Sequence, residues 1–192
     1  MRIPEHYNPR DYQIEALQAL EAGAAMAVLC WARRAGKDLT SFAYAVKKMV
    51  EQPMNVALVF PTKEQGMKSF WNNTENDGFK TLDHIPKSLI ARMDNNNMRL
   101  VLKNGSVFEV LGTTDPDALR GANAKIYILS EMVDLAPEVM DIIRPIVAVN
   151  GGQIIMISTP KIDGISGATF KMYFDMAKKN KKWFASRVTA DK

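Results

Sequence analysis

Residues 24–46 read AAMAVLCWARRAGKDLTSFAYAV, and this stretch decides the fold. Residues 24–30 are apolar without a break. Such a run predicts a strand buried on both faces, as in a parallel sheet. A polar loop, WARRAGKD, follows. From about Lys37 the residues Leu39, Phe42, Ala43, Val46, Met49 and Val50 fall on one helical stripe. A buried strand, a loop ending in Gly36-Lys37 and a helix opening on it are the parts of a phosphate-binding loop. The helix start offers unpaired N–H groups and the positive end of a dipole to an anion. Lys37 would then reach the β and γ phosphates of a nucleotide. The pattern is degraded. Trp31 stands where a Walker A motif has its first glycine, and Asp38 stands where Ser or Thr follows the lysine. Taken alone, the segment reads equally as a basic loop before an ordinary helix.

Outward from this loop the elements alternate. DYQIEALQALEAG predicts a helix with Asp11 as N-cap, Ile14, Leu17 and Leu20 on one side, and Gly23 as its stop. Asn55 to Phe60 (NVALVF) is a second buried strand. A helix carrying Met67, Phe70 and Trp71 follows Pro61-Thr62. Residues 72–97 resist assignment, with Asn and Asp at both ends. MRLVLKNGSVFEVLG predicts a hairpin about Asn104-Gly105, where a tight turn needs positive φ. Ile126 to Leu129 is a third buried strand, Pro137 to Val149 a helix, and Gln153 to Ile157 a fourth strand. Gly167 to Lys179 and Trp183 to Val188 add a helix and a last strand. The alternation predicts an α/β domain with a largely parallel sheet and the hairpin as an antiparallel insertion.

The composition agrees. The chain has 192 residues, 47% hydrophobic and 24% charged. That is enough for one domain with a core, and it excludes a disordered chain, a collagen and a coiled coil. No apolar run reaches the ~18 residues of a membrane span, and the first residues lack the apolar stretch of a secretory signal. One cysteine, Cys30, excludes an intramolecular disulfide, and two histidines make no zinc cluster. A reducing cytoplasm is the expected setting. Lys and Arg outnumber Asp and Glu by 25 to 21, for a net charge of +4, which permits an anionic partner without requiring one.

A second motif strengthens the first. IYILSE, residues 126–131, is an apolar strand ending in Ser130-Glu131, where a Walker B motif has Asp-Glu. Glu131 would polarise the attacking water. Ser130 cannot supply the usual aspartate charge. The two departures are complementary. The hydroxyl expected after the lysine and the carboxylate expected on the strand have changed places, as Asp38 and Ser130. Magnesium takes hard oxygen ligands, so the exchanged pair could still hold it.

Taken in order, Tyr12-Gln13, RRAGKD, the NGS hairpin, LRG, ILSE and ISTP resemble the ATPase domain of the large terminase subunit of tailed bacteriophages. The resemblance covers nearly the whole chain. It implies a P-loop NTPase of the additional-strand (ASCE) type, with the hairpin near 98–111 as an insertion. It implies ATP hydrolysis with Mg2+, driving double-stranded DNA into a capsid. Gln13 would read the adenine edge, with Arg10 and Tyr12 beside it. Arg34, Ala35, Gly36, Lys37, Asp38 and Leu39 would line the nucleotide. Arg33 matches an arginine that contacts the γ-phosphate in cis. Arg34 reads as a solvated or DNA-facing charge. Arg120 matches an arginine finger given to the adjacent subunit, or is a loop arginine bonded to carbonyls. Ser158 and Thr159, before Pro160, match the motif that couples hydrolysis to movement, or are simple turn chemistry.

The same resemblance implies that residues 1–192 are a single ATPase domain, either a fragment or a naturally split subunit. The nuclease domain of the family would be absent, so the chain should not cut DNA. Expected partners are double-stranded DNA, the portal ring, the small terminase subunit and further copies of the chain in a ring, with no membrane. The basic run Lys178, Lys179, Lys181 and Lys182 beside Trp183 could follow a phosphate backbone, or be a solvated helix end. Two rival readings stand. One is a helicase-like motor. The other is a P-loop module without turnover that only binds DNA or a portal ring.

Overall fold

The computed structural model describes residues 4–74, 78–159 and 165–189. Eight strands form one sheet: β1 (Met26–Trp31), β2 (Asn55–Phe60), β3 (Ile90–Asp94), β4 (Arg99–Leu102), β5 (Val107–Gly112), β6 (Ile126–Ser130), β7 (Gln153–Ser158) and β8 (Trp183–Val188). Six helices connect them: α1 (Asp11–Glu21), α2 (Lys37–Glu51), α3 (Lys63–Gly66), α4 (Pro116–Gly121), α5 (Val139–Asn150) and α6 (Ile165–Lys179). The strand order is β3-β4-β5-β2-β6-β7-β1-β8. The block from β5 to β8 is parallel throughout. The antiparallel pairs are β3–β4 and β4–β5, at one edge.

Each parallel strand feeds two cores. On β1, Ala27, Leu29 and Trp31 face α1 and α2 in one cluster, while Met26 and Val28 face α5 and α6 in the other. The period of two turns alternate side chains to opposite faces, and both faces are covered. Hence the unbroken apolar runs. On the α2 side the rings of Phe42, Phe70 and Phe108 meet edge to face, with centroids 5.0 Å apart from Phe42 to each of the others. This packing carries the hairpin against the parallel block.

Several expectations are refined. The helix at 11–21 has Arg10, not Asp11, as its N-cap. The Gln13 carboxamide accepts the Arg10 backbone N–H at 2.9 Å, so the glutamine three residues on fixes the start. The predicted helix about Met67 is one α turn, α3, followed by a π-turn over Met67–Trp71. The hairpin forms about Gly105, whose φ is 90°. It is not a mere insertion, because β5 pairs in parallel with β2. Residues 90–94 of the unassigned stretch supply the edge strand β3.

At the amino ends of the strands, α1 and α2 are tied by charge. Glu21 accepts from Lys47 at 2.7 Å and from Lys48 at 2.6 Å. Burial works against the Glu21 charge, but these two bonds outweigh it and hold the carboxyl below its ordinary value. A folded value below the unfolded one means stabilisation that is full above the ordinary carboxylate range and lost as pH falls through the folded value. Glu21→Gln should lower stability by about 0.5 kcal/mol at neutral pH, as for other part-exposed pairs. The difference from wild type should shrink in urea unfolding as pH falls below the ordinary carboxylate range.

Candidate functional site

Strand β7 stands between β1 and β6. This interposed strand is the additional strand of the expected class. It sets the spacing of the site. The loop after β1, the end of β6 and the end of β7 meet at the carboxyl edge of the sheet, where open α/β sheets hold their ligands.

The loop is braced from below. Its Ala35 carbonyl accepts from Gln13 Nε2 at 2.9 Å and from the Tyr12 hydroxyl at 3.0 Å. Tyr12 also receives Arg10 Nη1 at 2.8 Å and packs edge-on against Trp31 at 5.2 Å. Trp31, fully buried, donates its indole N–H to Ser186 Oγ at 3.1 Å. The bulky residue in place of the first Walker glycine thus supports the loop through Tyr12. Gly36 caps α2 with φ 76°, a left-handed conformation that favours glycine. A Cβ there would lie 2.7 Å from Gln13 Nε2. Thr40 donates to the Gly36 carbonyl at 2.8 Å and accepts from Tyr7 at 3.0 Å. Tyr7 and Thr40 were not singled out by sequence, since neither belongs to a motif. Burial pushes the Tyr7 phenol up, which keeps it a donor at neutral pH.

Lys37 is the buried centre of the site. Its ammonium lies 3.3 Å from Thr159 Oγ1, 3.5 Å from Glu131 Oε1 and 3.9 Å from Asp38 Oδ2. Three sequence-selected residues, Asp38, Glu131 and Thr159, therefore meet on the Lys37 cation. Glu131 itself has φ 51° and ψ 49°, and Arg34 has φ 63°. A non-glycine residue in that region costs of order 1–3 kcal/mol, and such strain clusters at functional sites. Ser130 donates to Asp38 Oδ1 at 2.7 Å. The two departures from the Walker patterns are thus direct partners. Ser158 Oγ is buried, donates to the Thr159 carbonyl and accepts the Val133 N–H, both at 3.4 Å. Pro160, the last residue of that motif, lies outside the described residues.

A cleft of about 850 Å³ opens over the loop. It is lined by Arg10, Arg34, Gly36, Lys37, Asp38 and Leu39, and by Ser69, Phe70, Asn73, Thr74 and Thr81. Arg33 and Arg34 are both exposed, as a solvated charge would be, and Arg34 also lines this cleft. Gln13 was expected to read an adenine edge. Both ends of its carboxamide are instead bonded to backbone, at Arg10 and Ala35. Arg120 lies elsewhere. It pairs with Asp117 at 2.9 Å and lines a second depression with Glu138 and Asp141. The four lysines at 178–182 are exposed and lie before β8, at the amino edge of the sheet. They are a strand's length from the cleft, about 20 Å.

The left-handed Gly36 gives a direct test of the brace. Gly36→Ala adds backbone strain and a clash with the Gln13 amide. Nucleotide affinity measured by calorimetric titration should fall by roughly tenfold or more.

The chain matches no protein-family model and no curated protein. Solved structures do match. The large terminase ATPase domain of Thermus phage P74-26 superposes with a TM-score of 0.78 and 19% identity, covering 97% of this chain and 83% of that one. The large terminase of a second thermophilic bacteriophage gives 0.69 and 15% identity, covering 96% of this chain and 47% of that one. Its complex with ADP gives 0.70 and 14%, covering 94% and 45%. The chain thus spans just under half the length of that larger protein. Among the described residues no helix is long and apolar enough to cross a membrane. The fold of this chain is that of the ATPase domains of phage large terminases.

Proposed function

We propose that the chain is an ATP-hydrolysing motor domain that drives double-stranded DNA into a viral capsid. The observation that carries this reading is the meeting of Lys37, Glu131, Asp38 and Thr159 at the carboxyl ends of β1, β6 and β7. The likeness to terminase ATPase domains, one of them solved with ADP, supports it.

The chemistry follows from the side chains. The Lys37 ammonium now rests on Glu131. An incoming triphosphate offers it more negative charge, and it turns to the β and γ phosphates. Glu131 is then released to accept a proton from water. The water oxygen bonds to the γ-phosphorus as the bond to the bridging oxygen breaks, and the electron pair leaves on ADP. This reaction needs placement and charge more than covalent help from the protein. Arg34 on the cleft wall adds positive charge near the phosphates. Arg120, exposed and paired with Asp117, would be the arginine given to a neighbouring copy in a ring. Thr159 shares Lys37 with Glu131, so the end of β7 is released when the lysine moves. This gives Ser158 and Thr159 their coupling role.

The residues fit a magnesium ion. Asp38 and Ser130 present a carboxylate and a hydroxyl within 2.7 Å of each other, the hard oxygen pair that the ion takes alongside waters. Magnesium bound there would neutralise charge on the β and γ phosphates. The origins of the two groups are exchanged between loop and strand, and the pair is retained. DNA contacts fall to exposed cations such as Lys178, Lys179, Lys181 and Lys182, through phosphate rather than base edges. The portal ring and the small terminase subunit are the further partners that packaging requires.

Phosphate release from ATP, measured with magnesium and with or without double-stranded DNA, tests the motor reading. Glu131→Gln should slow turnover by about a hundredfold or more, as loss of a general base does. Lys37→Ala should abolish tight nucleotide binding. Binding without turnover, even when copies are mixed at high concentration, would favour a module that only docks on DNA or a portal. The exchange is tested separately. Asp38→Thr and Ser130→Asp should each cut the rate, and the double variant should recover much of it. A double variant no better than either single one would sink the exchange.

A further inference from the structure

We propose that Tyr7 is a positioning residue for the phosphate loop. Through the Thr40 hydroxyl it holds the Gly36 carbonyl, and so aims the Lys37 backbone N–H at a bound phosphate. This rests on the nucleotide-binding reading above and names the group that sets the start of α2 from outside the loop.

The chain of contacts runs in one direction. The Tyr7 phenol donates to Thr40 Oγ1 at 3.0 Å, and Thr40 Oγ1 donates to the Gly36 carbonyl at 2.8 Å. The same carbonyl accepts the Thr40 backbone N–H at 2.9 Å. Thr40 is fully buried and Tyr7 nearly so. A hydroxyl carries one proton. Thr40 spends its proton on Gly36 and can only accept from Tyr7, so the order of the three groups is fixed. The phenol is also nearer to Thr40 than to Gln13 Oε1, which lies 3.5 Å away. A threonine bonded four residues back is ordinary inside a helix. Here the carbonyl is that of the left-handed N-cap, and the hydroxyl is backed by a residue 33 positions away.

Peptide planarity carries this contact to the site. The Gly36 carbonyl and the Lys37 N–H belong to one peptide unit, and in a trans peptide they point in opposite directions. A carbonyl held along α2 therefore turns the Lys37 N–H out of the helix start. An N–H in that position has no partner within the helix and is of the kind that takes an anion. The preceding peptide is held likewise, since the Ala35 carbonyl accepts from Gln13 Nε2 and from the Tyr12 hydroxyl. The N–H groups of Gly36 and Lys37 are thus both set by contacts on the carbonyls of their own peptide units. Successive N–H groups about left-handed residues form anion-binding concavities, and Gly36 and Lys37 line the cleft.

The backbone that presents Tyr7 is itself tied down. Before it, the Glu5 N–H donates to the His84 carbonyl at 2.9 Å, and His84 Nδ1 bonds the Glu5 carbonyl. His84 is buried, at the end of the turn Thr81–His84. After it, the Arg10 N–H is held by Gln13 Oε1 at 2.9 Å. The phenol therefore reaches Thr40 from a backbone fixed on both sides.

Calorimetric titration of the full chain with inorganic tripolyphosphate tests the assignment, with urea unfolding of each variant to show that it is folded. Tyr7→Phe removes one hydroxyl from a buried ring, and Thr40→Val removes one while keeping the branched shape. Each should weaken tripolyphosphate by roughly fivefold, the worth of one hydrogen bond. The double variant should bind no more weakly than Thr40→Val alone, because both act through one carbonyl. Thr40→Ser keeps the hydroxyl and should bind as wild type does. Wild-type affinity in folded Tyr7→Phe would overturn the assignment and leave Tyr7 a residue of the core alone. Losses that multiply in the double variant would overturn it too, as would a Thr40→Ser as weak as Thr40→Val. Lys37→Ala checks the reading beneath it. If wild type took up no tripolyphosphate, or Lys37→Ala bound it equally well, the phosphate-loop reading itself would fall.

Discussion

A buried ammonium is the constraint around which the site is arranged. Lys37 is almost wholly removed from water, and a charge so placed must be paired. Glu131, Asp38 and Thr159 meet that need from the ends of β6, the start of α2 and the end of β7. The sheet, with β7 between β1 and β6, brings these ends to one point. Trp31, Tyr12 and Gln13 hold the loop backbone, and the Gly36 conformation leaves room for the amide that does so.

On the proposed function, the arrangement would also be a switch in which one cation has two alternative sets of partners. Lys37 rests on Glu131 and on Thr159 after β7. A phosphate taking their place would release both, so that binding and readiness for chemistry would be one event. Strain at Glu131 fits this role, because its left-handed backbone is held by the surrounding contacts and not by local preference.

Much of this was legible in the sequence, for identifiable reasons. Parallel strands covered on both faces leave unbroken apolar runs, so β2 was bounded to the residue. The pairing of Asp38 with Ser130 was legible because both depart from known patterns in complementary ways. The role of Gln13 was not. Its partners are the backbone of Arg10 and Ala35, and backbone partners leave no trace in residue type. Arg33 was matched to the phosphate and Arg34 read as a solvated charge, whereas it is Arg34, with φ 63°, that lines the cleft. The 72–97 stretch hid an edge strand because β3 is exposed at three of its five positions, so no apolar pattern marks it. The π-turn before it breaks the helical period on which assignment depends.

The place of β1 has a consequence for how the protein is made. Met26 pairs with Ile154 on one side and with Trp183 on the other. The strand that presents the loop at Lys37 is made well before both its neighbours, β7 and β8. Contacts so distant in sequence form slowly, after the intervening chain has been ordered. Until β7 has been made, the loop lacks a neighbour that seats it and Lys37 lacks Thr159. The pairing around Lys37 is therefore among the later contacts to form.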